Sequence, residues 1–385
     1  MEQDGLGLYV HLPLCPSRCP YCDFFSLPFS PARARKVLEG IQAHLELLAR
    51  RHRREDGRPL ATLYLGGGTP GMWPAGAIAH LLELIRRRLG LAPGAEVTLE
   101  ANPGALSPAK LHLLRRAGVS RLSLGAQSFQ PRLLSVLGRR HGPEATRAAV
   151  RAARRAGFHN LNLDLIYALP GQDPVLARAD LEAALALEPE HLSLYELTLN
   201  PRTPLGNRLR KGRLPLPPEQ AVLEMEDQAL ELLEKAGLTR YEVSNFARPG
   251  RRCRHNLSTW RGGDYLALGP GAHGHLAGRR WGLVRHLGRY LALARAGREP
   301  LEFSEELTPA QRALELFMLG LRTTGGVDLA AVARVLGEDP RRRYAAALAR
   351  LAELGWANLQ DGRLIPTPQG LRMADAAAAL FVEGD

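Results

Sequence analysis

One alternation limits what this chain can become. Over roughly the first 240 residues, short apolar runs alternate with longer stretches of helical periodicity. The apolar runs at 6–12, 61–65, 96–100, 121–124, 160–166 and 191–197 have the length of strands, and each ends in a cluster of Gly, Pro, Asn, Gln or Asp. The segments between them, at 31–52, 75–89, 108–117, 143–156, 176–187 and 219–236, place apolar residues at helical spacing. Repeats of this kind build a parallel sheet covered by helices, because two parallel strands need a crossover long enough to hold a helix. Six units are too few for a closed eight-stranded barrel. The expectation is an α/β fold, a partial and open (β/α)6 barrel of the TIM type, with its chemistry at the C-terminal strand ends.

The rest of the chain changes character twice. Residues 241–304 are rich in Gly, Arg, His and aromatics and read as a connecting segment. Residues 305–385 show three helical patterns (309–321, 328–336, 340–354), a hairpin at 356–365 turning on Asp361-Gly362, and a last helix from about Pro368. Helices followed by a small hairpin predict a winged-helix-like α+β module, a shape used on DNA and equally for protein packing. The expected units are therefore 1–240, 241–304 and 305–385.

Composition narrows the function classes. Hydrophobic residues make up 45% and charged residues 23%, as in soluble globular proteins. No run approaches the eighteen or so apolar residues of a membrane span, and the start, Met1-Glu2-Gln3-Asp4-Gly5, has no secretory character. These point to the cytoplasm. The net charge of +12 invites a nucleic-acid reading, with 305–385 as the binding module. However, lysine occurs only at Lys36, Lys110, Lys211 and Lys235, and arginine is spread along the whole chain. No basic stretch is interleaved with aromatics, so a nucleic-acid partner is not expected.

Three of the four cysteines, Cys15, Cys19 and Cys22, lie within eight residues directly after the first strand. Cysteines clustered this tightly in a cytosolic chain are metal ligands more often than disulfide partners. Iron–sulfur clusters are usually held by four thiolates. Three can hold three irons of a cubane and leave the fourth open to a ligand. The competing reading is a zinc site completed by His11 or Cys253. Zinc sites commonly come as two ligand pairs, and no second pair is present. The second strand ends in Gly66-Gly67-Gly68-Thr69-Pro70, where glycines let the backbone approach a ligand and offer it N–H and C=O groups. The following strand ends carry Glu100-Ala-Asn102-Pro103, Gly125-Ala-Gln127 with Arg139 beyond it, and Asn162-Leu-Asp164. Polar residues repeated at successive strand ends favour one shared ligand.

These motifs resemble the radical S-adenosylmethionine superfamily, with its C-x3-C-x2-C loop and an aromatic, Tyr21, before the last cysteine. The resemblance implies a [4Fe–4S] cluster on Cys15, Cys19 and Cys22 whose open iron binds S-adenosylmethionine. It narrows to the branch of the oxygen-independent coproporphyrinogen III dehydrogenases (HemN) and the HemW haem chaperones. Carried over by position, Tyr9, Tyr21, Gly67, Gly68, Thr69, Glu100, Gln127, Arg139 and Asp164 would bind S-adenosylmethionine, with Thr198 at the sixth strand end as a further candidate.

Three features favour the chaperone side. The dehydrogenases carry another cysteine two places after the third, where this chain has Phe24. They also carry an N-terminal extension, whereas Tyr9 follows only eight residues. Finally, His255-Asn256-Leu-Ser-Thr259-Trp260 resembles the HemW motif H-N-x-x-Y-W, with Thr259 at the tyrosine position. The resemblance implies haem as a third cofactor or cargo with His255 as its ligand, and His273 and Cys253 as fallback ligands. It also implies haem-accepting proteins, membrane-associated ones among them, and an electron donor for the cluster. One open iron leaves room for a cluster-linked dimer. The alternative function is a decarboxylating dehydrogenase that works through a 5′-deoxyadenosyl radical.

Overall fold

A computed structural model of the chain describes residues 5–198, 200–212 and 214–382. Residues 1–4 and 383–385, the outer ends of the first and last expected units, lie outside the described residues.

The six expected strands form one parallel array. They are β1 (Gly7–Leu12), β2 (Leu60–Gly67), β3 (Leu91–Ala101), β4 (Arg121–Gln127), β5 (Leu161–Tyr167) and β6 (His191–Glu196), paired in that order. The crossover helices are Pro31–Glu55, Ala75–Leu89, Pro108–Arg116, Pro143–Arg155, Pro174–Leu185 and Glu219–Lys235. Their starts follow local chemistry. Ser30, Ser107 and Asp173 each accept a hydrogen bond from a backbone N–H of the first turn, and proline follows each cap. The first helix turns Val37, Ile41, Leu45 and Leu48 toward the sheet, all fully buried. That spacing is one helical face, and each such side chain stabilises the fold by about 1.5–3 kcal/mol.

Residues 241–304 do more than connect. Asn245–Ala247 (β8) pairs antiparallel with β6, and Thr239–Arg240 (β7) with β8. Tyr265–Leu268 (β9) lies parallel to β1 on its other side. His273–Leu276 (β10), Arg279–Leu283 (β11) and Leu301–Glu306 (β12) follow as an antiparallel meander. The result is one twelve-stranded sheet in the order β12-β11-β10-β9-β1-β2-β3-β4-β5-β6-β8-β7. The glycines that made this segment look like loop are packing requirements. A Cβ on Gly274 would lie 2.3 Å from the Trp281 ring, and one on Gly282 would lie 2.4 Å from Phe303.

The C-terminal module is winged-helix-like, as expected. Helices Pro309–Gly320, Leu329–Leu336 and Ala345–Glu353 pack on a three-stranded sheet of Val327–Asp328, Arg363–Pro366 and Ala357–Gln360. The helix expected over 340–354 breaks at Tyr344, whose buried ring meets Phe317 at 5.1 Å and Phe381 at 5.6 Å. The module docks on the barrel side through Val243 N–H to Arg322 O (2.9 Å) and Thr324 N–H to Tyr241 O (3.1 Å). Among the described residues, no helix is long and apolar enough to cross a membrane.

Candidate functional site

The C-terminal ends of β2 to β6 and the cysteine loop enclose one cavity of about 430 Å³, the size of a small-molecule site. Cys15, Cys19 and Cys22 all line it. They lie near enough that ionising one opposes ionising the next: Cys19 acts on Cys15, Cys22 on Cys19, and Cys15 on Cys22. Among the described residues, no three His, Cys, Asp or Glu side chains group tightly enough for a single metal ion. A cubane puts each sulfur on a different iron, so its ligands ring the cluster without converging on one point. Both candidate fourth ligands of a zinc site are engaged elsewhere. His11 bonds Tyr9 and the Phe25 carbonyl, while Cys253 is fully buried with its Sγ 3.6 Å from Glu96. The donor set of three thiols facing a cavity fits an iron–sulfur cubane. Burial pushes all three thiol pKa values up, so loading a cluster on these residues releases protons.

A chain of polar contacts ties the cysteine loop to the strand ends. Arg139 Nη2 donates to Tyr21 Oη (2.5 Å), and Arg139 Nη1 donates to Asn102 Oδ1 (2.8 Å). Asn102 Nδ2 then reaches Thr69 Oγ1 at 3.4 Å, and Thr69 Oγ1 lies 3.5 Å from Cys15 Sγ. Loop, β2, β3 and the segment after β4 are thereby held in one network. Arg139 Nε is buried with no partner. A buried, unsatisfied guanidinium N–H beside a cavity suits an anionic ligand group, such as an amino-acid carboxylate.

Glu100 anchors the opposite wall. Its Oε1 accepts from Tyr64 Oη (2.8 Å) and its Oε2 from the Gly67 N–H (3.2 Å). Gly68 N–H donates to Leu12 O and Thr69 N–H to Leu14 O, so the glycine loop has only carbonyl oxygens to offer. This corrects the expectation of free N–H groups there, and it suits an amine, which needs acceptors. Gly67 has φ 107, and a Cβ on it would lie 2.5 Å from the His11 ring. No other residue fits that position. Gln127 also takes a positive φ, 67, where the β4–β5 ladder is irregular. A non-glycine residue held in this region is strained, and such strain clusters at binding sites.

Asp164 accepts from Asn162 Nδ2 (2.7 Å) and Ser123 Oγ (3.2 Å), and burial raises its pKa. Burial raises the pKa of Glu100 to about 7, opposed by its bond from Tyr64 and reinforced by Asp164. This carboxyl therefore binds more protons in the folded than in the unfolded chain between about pH 4.5 and 7. Stability from this group is lost as pH rises through that window. Glu100→Gln should flatten the fall in thermal stability of the cofactor-free protein from pH 5 to 7. Melting curves across that range check it, and an unchanged slope would count against the assignment.

Of the ten residues carried over for S-adenosylmethionine, the structure brings nine to this cavity: Tyr21, Gly67, Gly68, Thr69, Glu100, Gln127, Arg139, Asp164 and Thr198. Tyr9 sits behind it. Its hydroxyl donates to His11 Nδ1 (3.1 Å), whose Nε2–H donates to Phe25 O (3.1 Å), three residues past Cys22. Burial pulls His11 down to about 4, so its imidazole is neutral and carries one proton, which these partners place on Nε2. Tyr9 thus braces the cysteine loop. Sequence reasoning missed Tyr64, Arg121 and Tyr195, which also line the cavity. The only signal for Tyr64 was its place two residues before Gly66, on one strand face.

His255 does not line the cavity but packs behind its wall, against Tyr64. On the short helix Arg254–Trp260, it is 7% exposed, with Nδ1 2.8 Å from Thr62 Oγ1 and its ring 5.3 Å from that of Tyr64. Burial pulls its pKa down to about 4. Its neighbour Asn256 lines the cavity, and Thr259 bonds back to the His255 carbonyl at 3.1 Å.

Comparison with known proteins agrees with this architecture. Residues 9–179 match the radical SAM superfamily model and residues 307–373 match the HemN C-terminal domain. The chain is 38% identical to the heme chaperone HemW of Mycobacterium tuberculosis (strain CDC 1551 / Oshkosh), over 98% of this chain and 94% of that protein. It is 40% identical to the heme chaperone HemW of Escherichia coli (strain K12), over 77% and 81%. Among solved structures, coproporphyrinogen III oxidase (HemN) from Escherichia coli superposes with a TM-score of 0.85 at 23% identity, covering 98% of this chain and 90% of that one. The last likeness speaks for the fold alone.

Proposed function

We propose that this chain, which belongs to the HemW family of the radical SAM superfamily, is a haem chaperone: it binds haem, holds a [4Fe–4S] cluster and S-adenosylmethionine, and passes haem to acceptor proteins. The observation that carries this reading is the match to HemW chaperones along nearly the whole chain. The position after the cysteine loop supports it. The fourth cysteine of the dehydrogenases is replaced by Phe24, 68% exposed at the mouth of the cavity.

Cys15, Cys19 and Cys22 are the cluster ligands in this reading. Arg139 receives the carboxylate of S-adenosylmethionine, the carbonyls of Gly67 and Gly68 take its amine, and Glu100, Gln127 and Asp164 line the remaining wall. Bound and reduced, the pair can supply a 5′-deoxyadenosyl radical; the protein's part is to bind, orient and shield it. The haem ligand carried over with the family motif is His255. Reaching it from solvent requires the helix Arg254–Trp260 to leave Thr62 and Glu96. Acceptors include membrane-associated haem proteins, an external reductase serves the cluster, and the work is done in the cytoplasm.

Titration of the anaerobic, cluster-loaded protein with haemin should give stoichiometric binding and release to an apo-haem protein. In parallel, coproporphyrinogen III with reductant and S-adenosylmethionine should yield no protoporphyrinogen. Robust propionate decarboxylation would replace the chaperone reading with the dehydrogenase one.

A further inference from the structure

The antiparallel meander β10–β12 carries a second imidazole in a different setting. The His273 side chain is exposed and makes no hydrogen bond among the described residues. It pairs in register with Gly282, which pairs in turn with Phe303. In a sheet, residues in register share a face. Because Gly282 has no side chain, the Phe303 ring lies across it and meets the His273 ring at 5.6 Å, tilted by 57°. A Cβ at Gly282 would lie 2.4 Å from Phe303 and 3.2 Å from His273. Phe303 is 42% exposed, a large aromatic left in water beside an open histidine.

Two further groups complete the patch. Arg285 is exposed and pairs with no carboxylate among the described residues. Its side chain passes the Gly271 position, 3.5 Å from where a Cβ would stand, and the Phe25 ring passes the same position at 2.8 Å. Phe25 follows Cys22 by three residues, so the patch touches the cysteine loop from outside the cavity. His11, under that loop, feels the charge of Arg285.

Resting on the haem-chaperone reading, we propose that haem docks on this open sheet face, with His273 as its iron ligand, Phe303 against the macrocycle and Arg285 on a propionate. The three chemistries match haem's three parts. Neutral imidazole is the common axial ligand of haem iron. Aromatic rings pack on the porphyrin plane. A guanidinium pairs with carboxylates in bidentate geometry. Partial burial and the nearby Arg285 hold the His273 pKa below that of free imidazole, so it is neutral at physiological pH. His255 has none of this access. The meander is thus a landing site beside the cysteine loop, reachable without unfolding any helix.

The test uses full-length, cluster-loaded protein and two probes, haemin and haemin dimethyl ester. His273→Ala should weaken haemin binding roughly tenfold or more and remove the histidine-ligated Soret and EPR signature. Arg285→Gln should weaken haemin but not the diester. Melting curves of both variants should match the parent, since both side chains are exposed. If the parent binds haemin and His273→Ala keeps its affinity and signature, the docking site is wrong and the chaperone reading stands. If His255→Ala alone abolishes the signature while His273→Ala keeps it, the ligand is His255 and the proposal is overturned. If the parent binds no haemin at all, the chaperone reading itself has failed.

Discussion

Replacing any one of Cys15, Cys19 or Cys22 with alanine should abolish cluster loading while leaving the fold intact. The three thiols are half-buried around one cavity and hold up no core. The sheet beneath them is closed by fully buried aliphatics such as Leu8, Val10, Leu63 and Leu65. A cubane bound by two thiolates in place of three loses a strong metal–thiolate bond and exposes a second iron to solvent. Structural metal sites of this strength contribute on the order of 10 kcal/mol, so the effect is close to all-or-none. After anaerobic reconstitution, the parent should hold about four irons and four sulfides per chain. Each variant should hold far less, with parental far-ultraviolet circular dichroism. A Cys→Ala variant with full iron and sulfide content would remove that residue from the ligand set.

Arg139→Ala should produce the second large effect, on S-adenosylmethionine binding with the cluster still loaded. Arg139 spans Tyr21 and Asn102, with its guanidinium carbon 5.7 Å from the Tyr21 ring centre. Its loss leaves Asn102 Oδ1 without its donor and frees Tyr21 from the network that reaches Cys15. Charge-assisted hydrogen bonds contribute about 1.5–3 kcal/mol each, and the ligand's carboxylate loses its partner as well. Affinity should therefore fall by about a hundredfold or more, read by calorimetry or by the EPR change on adding S-adenosylmethionine. Arg139→Lys should recover little. A lysine is a point charge that cannot bond Tyr21 and Asn102 together in one plane. Equal affinity in parent and alanine variant would move the carboxylate to another residue.

Much of this architecture is legible in the chain itself. The six strands and six crossover helices lie within a few residues of where apolar spacing places them, because that spacing follows from the backbone period of each element. Of the nine cavity residues found by position, seven lie at or just past the C-terminal halves of strands, while Tyr21 sits in the cysteine loop and Arg139 beyond the helix that follows β4. Pairing is what the pattern does not reveal. The strands at 265–306 are short and interrupted by glycine, so they carry no clear alternation. They become strands only because β1 presents an open edge to Tyr265–Leu268 and Trp281 packs over Gly274.

Local sequence is enough for the six barrel strands, their crossover helices and the three-thiol loop, since each rests on residues close together in the chain. How distant groups meet is settled by the assembled sheet. Its packing turns His255 inward against Thr62 and Tyr64 and leaves His273 open beside Phe303 and Arg285. It also draws Arg139, Asn102 and Thr69 into one line leading to Cys15. One cause underlies the division. Periodicity and spacing are local, whereas burial and partner choice depend on the sum of contacts over the whole sheet, which no short segment encodes.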